Sequence, residues 1–259
     1  MKVRLRQEID LTTGVIVEER YFLNNRRHRD PKEGPAVIWR NPESGAITGE
    51  QFLWKGRWHR EGGPAVTQRE SSTGVITQES YYISGEAHRL DGPAIITRDP
   101  QTGEWTGMWY YVKGRHHRDP SEGPAFICRD LSSGIVTQES FKLDDRPHRL
   151  DGPAWICRDE KTGVVRDERY YRNGQLHRPA GGGPAWIERH SATGAERKIE
   201  YWENGKLHRP PAEGPALIHR DYATGVVQRE EYWENGIQTD RPRAAWAGLP
   251  PPKRGPSPA

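Results

Sequence analysis

Seven His-Arg pairs are the residues of this chain best suited to chemistry. Their histidines are His28, His59, His88, His117, His148, His177 and His208. Histidine can bind a metal or exchange protons near neutral pH, and Cys128 and Cys157 add two possible metal ligands. Successive pairs are 29 or 31 residues apart. One set of side chains repeated at a fixed interval is typical of a tandem array and not of a single active site.

The interval between the pairs argues against metal binding and catalysis. Equivalent positions in neighbouring β-hairpins are roughly 10 Å apart, whereas a metal–nitrogen bond is about 2 Å long. We therefore expect no metal and no cofactor. We also expect two free thiols, because a disulfide needs Cα atoms within about 7 Å. The sequence holds no Gly-x-Ser-x-Gly motif and no Walker-type phosphate loop. We therefore predict no catalytic residue and no enzymatic activity.

Two turn signals in each repeat predict the elements that position these residues. The first is Asn-Gly or a relative of it, as at Asn204-Gly205, which suits a two-residue type I′ turn. This turn would place Trp202 opposite Leu207 and Tyr201 opposite His208. The second signal is a Thr-Gly or Ser-Gly corner ending at Gly14, Gly45, Gly74, Gly103, Gly134, Gly163, Gly194 or Gly225. The runs between the turns show strand composition and no helical periodicity.

The predicted fold is all-β. About eight tandem antiparallel hairpins of 29–31 residues would form one elongated, twisted sheet over residues 1–240, with roughly sixteen strands. The eighth copy carries Thr239-Asp240 in place of His-Arg, as terminal repeats are often atypical. An alternative is a closed ring of hairpins in which the first strand pairs with a strand near Ala244-Ala245-Trp246. Residues 241–259 are proline-rich and predict a disordered tail.

The seven histidines receive a structural interpretation. The hairpin register places an aromatic residue opposite each one, as Tyr201 stands opposite His208. A cross-strand contact of this kind contributes about 0.2–1 kcal/mol. We therefore predict that each histidine packs against the ring across from it.

Tryptophans and arginines are the candidate binding residues. An arginine stands at the same place after every Gly-Pro-Ala: Arg40, Arg69, Arg98, Arg129, Arg158, Arg189 and Arg220. A glutamate precedes the aromatic residue by two positions in most repeats, so the two charged sets could neutralise one another. Exposed members of these sets would form the working surface, and the tryptophans first expected there are Trp58, Trp155, Trp186, Trp202 and Trp233.

Composition limits the functional classes. The chain has 39 Lys and Arg against 36 Asp and Glu, a net charge of +3, which gives little support to nucleic-acid binding through arginine and tryptophan ladders. A membrane surface or an apolar ligand inside a closed ring is a further alternative. The N-terminus has no apolar signal-peptide region and no apolar run reaches about 20 residues. With its free cysteines, the chain is predicted to be cytoplasmic.

The phrase Tyr201-Trp202-Glu203-Asn204-Gly205-Lys206 and its counterparts resemble MORN repeats, especially divergent bacterial ones. The likeness covers the aromatic pair, the hairpin turn and the following glycine, whereas His-Arg, Gly-Pro-Ala and the longer period differ from MORN repeats. The resemblance implies a non-enzymatic scaffold with protein or lipid contacts on one face. We therefore predict a repeat module for protein–protein interaction or self-assembly.

Overall fold

The chain folds as one long, open antiparallel β-sheet with eight short hairpins along one side. A computed structural model describes residues 2–241 of the 259. The predicted tail, apart from residue 241, and the strand predicted near residues 244–246 lie outside this range. No helix in the described part is long and apolar enough to span a membrane.

The described elements are thirty strands and one 3₁₀ turn at Pro211–Glu213. The strands are β1 (Arg4–Ile9), β2 (Ile16–Leu23), β3 (Arg26–Arg27), β4 (Val37–Arg40), β5 (Ile47–Gln51), β6 (Leu53–Trp54), β7 (Arg57–Trp58), β8 (Val66–Arg69), β9 (Ile76–Ser80), β10 (Tyr82–Ile83), β11 (Glu86–Ala87), β12 (Ile95–Arg98), β13 (Trp105–Trp109), β14 (Tyr111–Val112), β15 (Arg115–His116), β16 (Phe126–Arg129), β17 (Val136–Ser140), β18 (Lys142–Leu143), β19 (Arg146–Pro147), β20 (Trp155–Arg158), β21 (Val165–Arg169), β22 (Tyr171–Arg172), β23 (Gln175–Leu176), β24 (Trp186–Arg189), β25 (Glu196–Glu200), β26 (Trp202–Glu203), β27 (Lys206–Leu207), β28 (Leu217–Arg220), β29 (Val227–Glu234) and β30 (Ile237–Thr239).

Sixteen of the strands form a meander in which each strand pairs with the next one along the chain. They are β1, β2, β4, β5, β8, β9, β12, β13, β16, β17, β20, β21, β24, β25, β28 and β29. This confirms the predicted all-β hairpin array. The sheet is open, with β1 at one edge and β29 at the other. The closed ring considered as an alternative is therefore not the fold of the described residues.

The Asn-Gly turns lie at the tips of eight small hairpins that project from the meander, which we call arms. β2 and β29 continue directly into their arms with β3 and β30. In the six units between them the strand is interrupted at the aromatic residue, and the arm is a separate pair such as β6 with β7. The predicted register is confirmed where Trp202 pairs with Leu207 and Glu203 with Lys206.

Positive φ angles explain the residues found in both turns. Asn204 has φ 49° and Gly205 has φ 74°, as a type I′ turn requires at both central positions. The corners between sheet strands end on glycines such as Gly14, with φ 74°. Each corner begins with a side chain that accepts hydrogen bonds from the turn, as Asp10 does from the amides of Thr12 and Thr13 at 2.9 Å. The turns that begin and end the sheet strands are therefore specified by residues close together in the sequence.

The core is a thin line beneath the base of the arms. The alanines of Gly-Pro-Ala are completely buried, and they are Ala36, Ala65, Ala94, Ala125, Ala154, Ala185 and Ala216. The carbonyl of Ala36 accepts a hydrogen bond from the Tyr21 amide at 2.8 Å. The amide of Ala36 donates a hydrogen bond to the Gln51 carbonyl at 2.7 Å. The small alanine side chain packs where the arm leaves the sheet and neighbouring units meet.

Candidate interaction surface

The recurrent histidine of each repeat contacts the following repeat. The Nδ1 atom of His177 accepts a hydrogen bond from the backbone amide of Asn204, at the tip of the following arm, over 3.1 Å. Five other histidines do the same at 3.0–3.1 Å; the donor amides belong to Lys55 for His28, Ser84 for His59, Lys113 for His88, Asn173 for His148 and Asn235 for His208. The histidine is thus a clamp between units.

His117 is the exception among the seven histidines. Its Nδ1 atom lies 3.1 Å from a carboxylate oxygen of Asp144, and the neighbouring carboxylate of Asp145 accepts a bond from the His116 amide at 2.9 Å. The turn of this arm is Asp-Asp. The first arm has Asn-Asn, and the other six arms have glycine as the second turn residue. The side chains of the turn replace the backbone bond that the other units use.

Two further backbone bonds join every pair of neighbouring arms. The Gly205 amide donates to the Leu176 carbonyl at 2.9 Å, and the Arg178 amide donates to the Trp202 carbonyl at 3.0 Å. The same two bonds recur at all seven junctions between described arms. The arms are therefore held as a continuous row and do not project as independent hairpins.

Arginine, and not histidine, lies over the aromatic ring of each unit. The guanidinium carbon of Arg178 is 3.9 Å from the centre of the Tyr170 ring, and its Nη1 atom donates to the Pro184 carbonyl at 3.0 Å. In all seven pairs the arginine lies 3.8–4.1 Å from the ring centre. The predicted stacking of histidine on this ring is wrong, because the histidine turns toward the next arm.

The predicted arginine ladder forms ion pairs along one face of the sheet. Five members lie 2.6–4.0 Å from a glutamate of the preceding unit: Arg40 with Glu19, Arg69 with Glu50, Arg98 with Glu79, Arg158 with Glu139 and Arg189 with Glu168. The Nη1 atom of Arg40 lies 2.8 Å from a carboxylate oxygen of Glu19. The ladder is therefore largely neutralised within the sheet.

Two arginines of the ladder depart from this pattern because the glutamate is missing. Met108 occupies the glutamate position facing Arg129, and Arg129 pairs with Glu104 at 2.8 Å instead. Ile199 occupies that position facing Arg220, and no ion pair of Arg220 occurs among the described residues. Arg220 lies in β28, next to the C-terminal edge strand.

None of the five predicted binding tryptophans is fully exposed. Trp58 packs 4.8 Å from Tyr82, and Trp186 lies beneath Arg169 and Lys198. All five are half-buried, namely Trp58, Trp155, Trp186, Trp202 and Trp233. These tryptophans are therefore only partly accessible, and their part in binding stays a prediction.

The cysteines and the titratable groups with shifted pKa values are described by their local contacts. Cys128 and Cys157 are free thiols, and Gln138 lies between them as the register partner of both. Among residues 2–241, no three or more His, Cys, Asp and Glu side chains are arranged to hold a metal ion. The amides of Thr13 and Thr12 lower the pKa of the Asp10 carboxyl. Burial lowers the pKa of His116. The first effect comes from hydrogen bonds within the corner, and the second from burial.

The two ends of the sheet differ from its middle in exposed apolar side chains. Among residues 2–241, eleven large hydrophobic residues are exposed, and seven of them lie in the first or last unit. These seven are Leu5, Ile9, Leu11, Tyr222, Val226, Val227 and Ile237. The edge strand β1 pairs only with β2 among the described strands, and the outer side of β29 has no partner strand within residues 2–241. Sequence reasoning missed this concentration, although the incomplete first and last repeats signalled it.

Charge at the C-terminal edge is also ordered. The Glu231 carboxylate accepts a bond from the Trp233 indole at 2.8 Å and another from Arg229 at 2.6 Å. These two bonds lower the pKa of Glu231, with the indole bond as the larger cause. The edge strand therefore presents a fixed anion beside a cation.

Comparison of the chain with protein-family models and with curated proteins finds no match.

Proposed function

We propose that this protein is a non-enzymatic repeat module that binds protein through the ends of its open sheet. The observation that supports this most is that seven of the eleven exposed large hydrophobic residues in the described part of the chain lie in the first and last units. Apolar patches next to unpaired strand edges are typical of protein-binding sites, because a partner strand can satisfy the edge and cover the patch. The partner is another protein or a second copy of this chain.

The middle of the sheet is less suited to chemistry. In every complete unit the histidine holds the next arm, the arginine covers the aromatic ring, and most ladder arginines hold a glutamate, as His177, Arg178 and Arg189 illustrate. Catalysis needs a nucleophile or a proton-transfer group free to meet a substrate. Groups that are equally engaged in each unit favour a structural purpose.

The alternatives receive less support. A ligand inside a closed ring would require a closed sheet, whereas the described sheet is open. Phosphate binding requires free cations, but six of the seven ladder arginines pair with glutamates. Membrane-surface binding, the MORN-like relationship, a bacterial origin and a cytoplasmic location stay predictions from the sequence.

Site-specific photocrosslinking tests this proposal. A benzophenone amino acid would replace Leu5 at one end or Val227 at the other, with Leu150 as the control in the middle. Leu150 is apolar and 75% exposed, against 45% for Leu5 and 38% for Val227, so exposure alone would favour the control. We expect protein adducts in cells from both end positions and few from residue 150. Equal labelling at all three positions, or none at the ends, would contradict the proposal.

A further inference from the structure

The first and last strands of the sheet are the two halves of one repeat unit. In a complete unit the strand after Gly-Pro-Ala pairs with the following strand through Ile38 and Glu50. Gln7 pairs with Glu19 in the same way, so β1 is a strand of this type without its preceding arm. Glu19 also pairs with Ile38 on its other side. Glu230 is equivalent to Glu19 and lacks this second partner among the described residues. The missing partner of Glu230 is therefore a strand like β1.

Charge supports the same register. If Glu230 faced Gln7, the residues on either side would follow the pairing of β2 with β4. Glu231 would then face Arg6, and Arg229 would face Glu8. Both pairs are of opposite charge. A shift of two residues one way brings Glu231 opposite Glu8, and a shift the other way brings Arg229 opposite Arg6. The repeat register is thus the one that avoids like charges across the junction.

Apolar contacts support it as well. Leu5 stands in the position of the completely buried alanines, as its pairing with Tyr21 shows, yet it is 45% exposed in the single chain. In the repeat register the residue across from Leu5 is Tyr232, the aromatic residue of the last unit. The junction would therefore cover an apolar side chain that the single chain leaves in water.

An unpaired buried atom provides independent support. Thr239 pairs with Tyr232 and so occupies the histidine position of the last arm. Its Oγ1 atom is buried and has no hydrogen-bond partner among the described residues. The histidine at this position accepts its bond from the tip of the next arm, as His208 does from Asn235. The next arm after Thr239 would be the first arm of another copy, with its tip at Asn24-Asn25.

We infer that two copies of this chain join head to tail, with β29 of one copy adding to β1 of the next in the register that places Glu230 opposite Gln7. This inference rests on the proposed function and names a second copy as the partner. Because the two surfaces differ, the contact does not close on itself within a dimer and can continue to longer assemblies. The charges predict weaker association at high salt.

Charge reversal in purified full-length protein tests the junction. The wild-type chain should show a sedimentation coefficient that rises with concentration. R6E sets two carboxylates against each other across the junction, and E231R sets two guanidinium groups against each other there. Each variant alone should therefore associate at least about tenfold more weakly. In an equal mixture of the two, both kinds of junction between unlike variants pair opposite charges, one as in the wild type and the other with the two signs exchanged, so association between the variants should return. E160R is the matched control, because Glu160 is an exposed corner residue away from both edge strands.

Several outcomes would overturn the inference. A wild-type chain that stays monomeric throughout would do so, as would two variants that fail to recover on mixing although circular dichroism shows both to be folded. Association that appears only after removal of residues 242–259 would also overturn it for the full-length chain, because the two edges would then not be free to join in that chain. If the purified chain is monomeric while the end positions still crosslink to a different protein in cells, the proposed function stands and the copy-to-copy junction fails.

Discussion

Replacing a single clamp histidine tests the repeat-to-repeat contact that the structure places in each unit. In His177→Ala the amide of Asn204 loses the acceptor that now lies 3.1 Å away. A hydrogen bond of this kind contributes about 1 kcal/mol net. For a chain of this size a loss of that magnitude lowers the melting temperature by about 2–4 °C.

A matched variant separates the hydrogen bond from the imidazole ring. His177→Asn also removes the ring, but its Oδ1 atom can accept the same bond at the position of Nδ1. We expect His177→Asn to retain most of the roughly 1 kcal/mol that His177→Ala loses. Both variants lack the same ring contacts, so their difference reports the acceptor itself.

Hydrogen exchange is the most suitable assay because a repeat array does not always unfold in one step. The Asn204 amide should exchange about fivefold faster in His177→Ala than in the wild type, since about 1 kcal/mol corresponds to that factor. The Gly205 amide, bonded to Leu176 across the same junction, should follow it. Equal exchange in His177→Ala, His177→Asn and the wild type would refute the clamp.

Three further predictions concern the neighbouring contacts. Arg178→Lys should cost roughly 1–2 kcal/mol in urea unfolding, because lysine cannot both cover Tyr170 and reach the proline carbonyl; an unchanged midpoint would contradict this. Gly205→Ala should cost about 1–2 kcal/mol, since φ is 74° there, whereas Asn204→Gly should cost much less. Stability should fall as pH drops below about 4, because hydrogen bonds lower the pKa of the corner carboxyls in the folded state; stability gained from a lowered pKa is present above the unfolded value and is lost as pH falls through the folded one. Asn keeps the acceptor without titrating, as Asn41 does in the second corner, so replacing these carboxyls by Asn should reduce the acid loss measured by urea unfolding at pH 5 and pH 3. These corner residues are Asp10, Asp99, Asp130, Asp159 and Asp221.

The sequence predicts the local geometry of the array well. Asn204-Gly205 predicts a two-residue turn, and the observed register and φ angles agree with it. The Thr-Gly corners are equally local, because Asp10 and Gly14 lie within one turn. Turn type and strand register depend on neighbouring residues, and so a single repeat contains most of the information that specifies them.

Contacts between repeats are harder to predict. Asn204 is 27 residues from His177, and nothing in the register of one hairpin indicates that the histidine turns to the next arm. The interruption of the strands at residues such as Phe52 also depends on the neighbouring unit, since its amide bonds to the Ala65 carbonyl. The lone first strand is visible in the sequence, but the sequence also allows a ring closure for it, whereas the described sheet leaves β1 at an open edge.

The separation of the two ends tests the open sheet most directly. Spin labels at T12C and A223C, with C128S and C157S to remove the native thiols, would mark the first and last corners of the sheet, both exposed. Fourteen strand spacings of about 4.8 Å separate these corners, so pulsed electron double resonance on chains diluted with unlabelled protein should give a distance of roughly 65–70 Å. A distance of about 10–20 Å would mean that the first and last units meet within one chain. The sheet would then be closed, and neither end would be free to bind a partner.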